Sequence, residues 1–399
     1  MLNSINIDRV YQILLISLAF LMPITVSGAN VLIVIICFLW LLSGNYKYKY
    51  LQILESKLLI ASIIFFMLHV VGLAWTEDFK WGLHIIHKMW YFILLWPVLH
   101  SIVKKENISL YIYSFLLAIS LTEVISYLIW FELIVPFKHA TVLNPTPFMS
   151  HISYNPILTI AIYLVAHELL FNTKLGQLKF FLYGFFCLTM TLNMFITGGR
   201  AGQVMYFVML SILIFQFFDR QKVKSLISIF ILVPAIFISA YQTSYIFKSR
   251  VDKAIVNTMT YETNKNTSVG HRFTFAIHSW EIIKKNPIFG VGTGDFPKEY
   301  KKINEIKTPE VPNTTNPHNM YTLILVQFGL LGLISLFSIL YYQVKISPNS
   351  TSRLIRDVGI TLPILFSVIM LSDSYLLGHF TTLVFVFFSS FLYKDFEKS

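Results

Sequence analysis

Long apolar runs alternate with short polar connections along nearly the whole chain. Most runs have the length of a membrane-spanning helix, about 20 residues. Twelve of them lie near residues 10–28, 30–44, 57–75, 82–103, 108–135, 152–171, 177–197, 201–218, 223–243, 318–343, 355–373 and 376–393. This pattern predicts an all-α, polytopic integral membrane protein with about 12 transmembrane helices.

The longest polar interruption extends from about Gln242 to Pro317. It divides the chain into three predicted parts. These are helices 1–9 in residues 1–243, one large loop in residues 244–317, and helices 10–12 with the C-terminal segment in residues 318–399.

Within the loop, the spacing of apolar residues predicts a helix from Ser268 to Lys285, with Ser268 as its cap. An apolar stripe (Phe273, Ala276, Ile277, Trp280 and Ile283) lies opposite a polar face (His271, Thr274, His278, Glu281 and Lys285). We expect this amphipathic helix to lie on the membrane surface. No predicted strand precedes the segment Gly290 to Asp295, and no clear helix follows it. We therefore expect no dinucleotide site and predict that this segment folds back tightly under the amphipathic helix.

Composition and charge agree with a membrane protein. Hydrophobic residues make up 56% of the chain, the mean hydropathy is +0.66 and the formal net charge is +11. Lys and Arg lie mostly in short connections between apolar runs, which favours contacts with membrane lipids and excludes nucleic acid as the expected partner. Their distribution predicts both termini in the cytoplasm and the large loop outside.

Two polar residues lie where predicted helices begin at the outer surface of the membrane. Arg200 follows Gly198-Gly199 at the eighth run, and His318 follows Asn316-Pro317 at the tenth. Helix N-termini attract anions, and a cation there is unfavourable by about 0.3–1 kcal/mol unless an anion binds. The two glycines would admit a phosphate close to the backbone. A lipid headgroup is the alternative partner of Arg200.

His318 has the position of a helix N-terminal residue, with Asn316 as the expected cap. The helix dipole disfavours the imidazolium form, which suits a general base. A capping or packing role is the alternative.

Lys88 and His151 are two further candidates for substrate contact. His84, His87 and Lys88 share one helical face, so they should face a cavity or a partner helix instead of lipid. Lys88 could hold a phosphate, with snorkelling or helix pairing as the alternative. His151 closes a proline-rich outer segment that begins at Pro136, and a satisfied interfacial histidine is the alternative there.

Several common catalytic motifs are missing from the sequence, among them a D-x-D pair, a G-x-x-x-x-G-K-[ST] loop, H-E-x-x-H and G-x-S-x-G. We therefore expect no cofactor and no metal site. The remaining pattern favours transfer from an activated lipid phosphate, with arginines stabilising the diphosphate that leaves.

In three stretches the chain resembles the O-antigen ligase family, part of a group that includes O-antigen polymerases and related bacterial oligosaccharide transferases. The matching stretches are Thr197-Gly198-Gly199-Arg200-Ala201-Gly202, then Gly270-His271-Arg272-Phe273 leading to Asn286-Pro287-Ile288-Phe289-Gly290-Val291-Gly292, and finally His318-Asn319 followed by Gly329-Leu330-Leu331-Gly332.

The resemblance implies a glycan donor on undecaprenyl diphosphate and an acceptor hydroxyl on lipid A core oligosaccharide, at the periplasmic face of the bacterial inner membrane. It implies that Arg200 and Arg272 bind the diphosphate and that His318 activates or orients the acceptor in one inverting displacement. The additional candidates for contacting diphosphate or acceptor are His271, Asn319, Lys88 and His151.

Two other functions remain open at this stage. One is an O-antigen polymerase or a protein O-oligosaccharyltransferase that uses the same donor. The other is a transporter of a lipid-linked sugar, against which stands the lack of paired interrupted helices in the sequence pattern.

Overall fold

The computed structural model describes residues 4–138 and 140–396, with side chains from residue 7 onward. The ends of the first and third predicted parts, residues 1–3 and 397–399, therefore lie outside the described residues. Seventeen α-helices occur in the described ranges. They are α1 (Ser4–Leu21), α2 (Val26–Leu42), α3 (Tyr46–Glu55), α4 (Lys57–Val71), α5 (Phe79–Met89), α6 (Leu95–Ile102), α7 (Ile108–Trp130), α8 (His151–Phe171), α9 (Gln177–Ile196), α10 (Arg200–Phe218), α11 (Lys222–Thr243), α12 (Tyr245–Met259), α13 (Ser268–Lys285), α14 (Phe296–Lys307), α15 (Met320–Ile346), α16 (Arg353–Ile369) and α17 (His379–Leu392).

The helices confirm a helical, polytopic membrane protein. Among the described residues, eight segments are long and apolar enough to cross a membrane, and a ninth is added if α2 and α3 form one span bent by 114°. Each of the twelve predicted runs contains a helix, but α2, α16 and α17 have only 17, 17 and 14 residues. The number of twelve spans thus stays a prediction.

The bundle has two ends, and one of them carries residues 244–319. We call this end the loop face. There α13 and α14 pack on the first turns of α15 through a separate apolar cluster that includes Phe275, Ile282, Phe296 and Leu323. This packing places α13 beside the beginning of α15.

The segment 287–294 is inserted against a break in α15. Gly329 has a φ of +58°, and a Cβ there would lie 2.4 Å from the carbonyl carbon of Ile288. Val291 N donates to Val326 O (2.9 Å), and Leu330 N donates to Pro287 O (2.9 Å). The predicted fold-back therefore packs against α15. The break in α15 leaves backbone N–H and C=O groups without helical partners, and the segment 287–294 forms hydrogen bonds with them.

Interrupted helices are present, contrary to the sequence expectation. Gly329 breaks α15, and a 3-10 turn at Trp90–Phe92 separates α5 from α6. The pattern of apolar residues continues through both breaks, so hydropathy alone does not reveal them. The lack of interrupted helices thus no longer argues against a transporter.

The helix Ser268–Lys285 has its predicted bounds but a different cap. Thr267 Oγ1 accepts from Gly270 N (3.0 Å), so Thr267 is the N-cap. Phe273, Ile277 and Trp280 are 42%, 49% and 57% exposed, which suits the predicted contact with a membrane surface. The face predicted to be polar and solvated is partly wrong, since His278 is buried and its Nε2 lies 2.7 Å from Thr308 Oγ1.

Candidate active site on the loop face

Arg200 begins α10 and reaches the first turn of α13. Its Nη2 donates to Ser268 Oγ over 2.9 Å. Ser268, expected to cap α13, instead joins α13 to α10. The contact brings together two of the three stretches that carry the family resemblance.

Arg250, on α12, is a residue that the sequence analysis missed. It lies against the glycine pair before α10, where a Cβ on Gly198 would be 2.9 Å from its Nη2. A Cβ on Gly199 would lie 2.6 Å from His151 O. The glycines therefore leave room for an arginine and for the start of α8, and the close approach of a phosphate to this backbone stays a prediction.

Arg272 completes a group of three arginines. It is exposed on the first turns of α13, and both Arg272 and Arg250 are close enough to Arg200 for their charges to act on it. We call Arg200, Arg250 and Arg272 the arginine cluster. Among the described residues, none of the three forms a salt bridge with a carboxylate.

His151 borders the arginine cluster. Asn144 Nδ2 donates to His151 Nδ1 (2.8 Å), and Asn144 Oδ1 accepts from Gly198 N (2.9 Å). The proline-rich outer segment is thus fixed to the turn before α10. The charges of Arg200 and Arg250 both act on His151, so it lies at the site, held by an asparagine.

The sequence predicted His318 at the start of the helix, but the structure places it before the helix. Its φ is +53°, a left-handed conformation that is uncommon outside glycine. The helix α15 begins at Met320, and its cap is Asn319, whose Oδ1 accepts from Thr322 N (3.0 Å). Asn319 therefore has a structural role, and the expected cap Asn316 instead accepts from His318 N (2.9 Å).

Asp373, between α16 and α17, is the second residue that sequence reasoning missed. Its Oδ1 lies 3.3 Å from His318 Nδ1, although the ring is not aligned for a linear hydrogen bond. Asn316 Nδ2 donates to the same carboxylate over 2.7 Å. Burial raises the pKa of Asp373, but the contact with His318 and the hydrogen bonds from Ser374 N and Asn316 outweigh this and leave the pKa below its ordinary value.

A stack of rings joins His318 to the helix that carries Arg272. His318 lies parallel to Phe275 with ring centroids 6.0 Å apart, and Phe275 is stacked on His271 at 5.9 Å. His271 Nε2 lies 2.7 Å from Asn266 Oδ1. Burial lowers the pKa of His271, and the neighbouring charge of His318 adds to this.

Lys88 reaches the same region from α5. It lines a cavity of about 260 Å³ together with Ser153, Asn316, Asp373 and Tyr375. The charges of Asp373 and Arg272 both act on the Tyr375 hydroxyl. The cavity therefore lies beside the carboxylate that contacts His318.

An apolar cavity of about 990 Å³ reaches Ile196, close in the chain to the glycine pair before α10. It lies between α7, α9, α11 and the start of α12, and it is partly open. Ile196 and Leu143 line it, and they directly precede Thr197-Gly198 and Asn144 in the chain. The apolar space therefore lies close to Gly198, the glycine against which Arg250 packs.

The predicted catalytic residues Arg200, Arg272 and His318 therefore meet on the loop face, with Arg250 and Asp373 added by the fold. Arg250 lies in a helix with several other charges and has no distinguishing motif. The sequence gives only a weak indication for Asp373. A carboxylate in a short connection between two apolar runs, on the predicted outer side, is costly unless it has a partner.

Comparison with known proteins agrees with this geometry. The O-antigen ligase family model matches residues 185–337. An uncharacterized protein of Haemophilus influenzae is 26% identical over 215 residues, which are 51% of this chain and 53% of that protein. The chain thus spans about half the length of this curated relative. The matched segment includes all three arginines and His318, and over these residues the chain is similar to the O-antigen ligase family.

Proposed function

We propose that this protein is an O-antigen ligase that transfers a glycan from undecaprenyl diphosphate to a sugar hydroxyl of lipid A core oligosaccharide, at the periplasmic face of the bacterial inner membrane. The similarity of residues 185–337 to the O-antigen ligase family supports glycan transfer of the O-antigen ligase or polymerase type. The observation that carries the proposal is the arginine cluster, in which three positive charges interact without a carboxylate partner among the described residues, on the face of the bundle that also carries His318.

The donor diphosphate would bind to the arginine cluster. Guanidinium groups donate two parallel hydrogen bonds to phosphate oxygens, and their mutual repulsion is relieved only when an anion lies between them. Arg200 would also hold α13 through Ser268. Binding of the donor would then bring Arg272 toward the same anion.

The polyisoprenyl part of the donor would occupy the apolar cavity that ends at Ile196 and Leu143. A lipid diphosphate needs an apolar path that joins a cationic site. The adjacency of this cavity to Gly198, on which Arg250 packs, supplies that arrangement. This position would direct the sugar toward His318.

His318 would act on the acceptor. Because Nδ1 faces Asp373, the other ring nitrogen, Nε2, is available to take a proton from the acceptor hydroxyl. The acceptor oxygen forms a bond to the anomeric carbon while the bond from that carbon to the diphosphate oxygen breaks. The arginines stabilise the charge on the leaving undecaprenyl diphosphate, and the cavity lined by Lys88 would receive part of the acceptor.

The lipopolysaccharide ladder of a null mutant tests the proposal. Loss of the ligase should give rough lipopolysaccharide and accumulation of polymerised lipid-linked glycan. Complementation with the unchanged chain should restore the ladder. Normal ligation in the null strain would refute the assignment.

Two other outcomes separate the alternatives. A null mutant whose lipopolysaccharide carries a single repeat unit would indicate a polymerase. Incubation of the purified protein in detergent with donor and acceptor tests for chemistry without a membrane. If no glycan is transferred there while lipid-linked sugar crosses vesicles that contain the protein, the function is transport.

A further inference from the structure

Two adjoining cavities lie at the end of the bundle opposite to the loop face. Their volumes are about 680 and 730 Å³, and both are lined by Tyr48, Gln52 and Lys394. The helix α3 lies along them, and the ends of α4, α6, α15 and α17 form the other walls. We call them the lysine cavities.

Six lysines line these two spaces against four carboxylates. The lysines are Lys49, Lys57, Lys104, Lys105, Lys345 and Lys394, and the carboxylates are Asp8, Glu55, Glu106 and Asp395. Among the described residues, Lys104 is the one lysine of this set with a carboxylate within salt-bridge distance, Asp8 at 2.8 Å. The surplus of positive charge favours an anionic ligand.

Lys394 is held by neutral oxygens at the boundary of both cavities. Its Nζ donates to Val103 O (3.1 Å) and Ser101 O (3.4 Å). Burial lowers the pKa of Lys394 to about 8, and repulsion from Lys104 adds to this. An anion bound beside it would compensate both effects.

A deeply buried polar atom in the wall of one cavity, His100 Nδ1, has no hydrogen-bond partner among the described residues, and His100 is only 7% exposed. Gln52 Oε1 is likewise unpartnered within that part of the chain. Tyr11 lines the other cavity, and its hydroxyl interacts with Ser43. Buried polar atoms are nearly always hydrogen-bonded, so His100 and Gln52 indicate a polar ligand that enters the cavities.

The position of α3 indicates where that ligand comes from. It follows α2 after a bend of 114°, and it exposes Tyr46, Tyr50, Leu51 and Leu54. Tyrosines beside lysines are typical of the membrane interface, where rings lie at the depth of the lipid headgroups. The openings of the lysine cavities therefore lie at headgroup level.

We propose that the lysine cavities bind the headgroup of an anionic phospholipid, on the face of the membrane opposite to the candidate active site. The lysines contact the phosphate, and His100 and Gln52 supply hydrogen bonds to the headgroup. The acyl chains leave past Leu51 and Leu54 on α3. This site is independent of glycan transfer.

Lipid binding to the full chain in a neutral detergent tests the proposal. The protein is titrated with phosphatidylglycerol, with phosphatidylcholine of the same acyl chains, or with inorganic phosphate, and followed by thermal unfolding and native mass spectrometry. We expect phosphatidylglycerol to raise the unfolding temperature and to remain bound, while phosphatidylcholine has a much smaller effect. Equal stabilisation by both lipids overturns the proposal, and equal stabilisation by phosphate alone assigns the site to a free anion instead.

Matched variants locate the site. Lys105→Gln and Lys394→Gln should each weaken phosphatidylglycerol binding by about fivefold, the effect of one lysine at a lipid surface. Lys222→Gln and Lys224→Gln are controls, because these exposed lysines begin α11 at the same end of the bundle and do not line the lysine cavities. Lys105 is exposed, and its side chain makes no hydrogen bond with the residues that the structure describes, so its replacement should leave the fold intact. If the controls weaken binding as much as Lys105→Gln, the proposal is wrong.

Discussion

Two groups of arginine and histidine lie at opposite ends of α8 and α10. The arginine cluster, with His151 and His318, is at the loop face. At the other end, Asp357 on α16 is surrounded by His167, Arg353 and Arg356, and we call these four residues the Asp357 cluster. The two groups contain the same residue types but differ in whether the positive charges have a carboxylate partner.

The Asp357 cluster is satisfied within the chain. His167 Nε2 lies 3.0 Å and Arg353 Nε 3.3 Å from Asp357 Oδ2, and Arg356 Nε lies 3.4 Å from Oδ1. Gln216 near the end of α10 donates to Asp357 O (3.2 Å). These contacts join α8, α10 and α16, so they explain the charged residues at this end by structure alone.

The arginine cluster has no such explanation. Its contacts to the chain are a hydroxyl at Ser268 and a glycine backbone at Gly198. Gathering cations without a counter-ion costs free energy, and that cost is recovered when an anion binds. The comparison therefore supports the proposal that the unpaired group binds a ligand, whereas the paired group stabilises the fold.

The largest expected effect is that of His318→Asn. Asparagine tolerates the left-handed backbone at this position and keeps a polar side chain, but it cannot accept the proton. Loss of a general base should lower the transfer rate by about 10²–10⁴-fold. The rate is measured with purified protein, lipid-linked donor and acceptor.

The matched control for this change is His167→Asn in the Asp357 cluster. It should lower the unfolding temperature while the rate per folded molecule stays near that of the unchanged protein. If His318→Asn retains most of its rate, the histidine orients the acceptor and does not take its proton.

Arg272→Ala should have the next largest effect. Arg272 is exposed and has no structural partner within the described residues, so folding should be unaffected. Removing one group that stabilises the developing charge should lower the rate by about 10²–10³-fold. The measurement is the same transfer assay together with the yield of folded protein.

Arg356→Ala is the comparison variant, since Arg356 contacts Asp357. We expect it to change the unfolding temperature and leave the rate of transfer unaltered. An equal loss of rate in both variants would contradict the distinction between the two clusters.

The sequence alone predicts the features that depend on local contacts, and it misses those that depend on residues distant in the chain. The helix Ser268–Lys285 follows from the local spacing of apolar residues. Arg200 and His318 follow from their positions at predicted helix starts, and Arg272 from the family resemblance alone. Arg250 and Asp373 do not, because each acts through a residue distant in sequence, Gly198 and His318 respectively. The paired state of Asp357 is likewise a product of three helices meeting, and nothing in its local sequence distinguishes it from an unpaired charge.

Arg200→Lys should have a smaller effect than removal of an arginine. The charge remains, but an ammonium does not reproduce the two parallel hydrogen bonds of a guanidinium to phosphate. We expect the Michaelis constant for the lipid-linked donor to rise together with a partial loss of rate. In the parallel variant Arg353→Lys, at the other end of the bundle, both kinetic constants should be unchanged.

The smallest expected effect concerns pH and His271. Burial and the charge of His318 lower the pKa of His271 below its ordinary value of 6.5, so the ring is neutral at pH 7. Acidification below that pKa adds a positive charge near the arginine cluster and should tighten binding of inorganic diphosphate, by at most about tenfold for each pKa unit of coupling. Calorimetric titration between pH 7.5 and about 5 measures the effect.

His271→Gln should remove the part of the pH dependence that comes from His271, whereas His167→Gln in the Asp357 cluster should leave the full pH dependence. If diphosphate affinity is independent of pH in the unchanged protein, His271 does not act on the anion site.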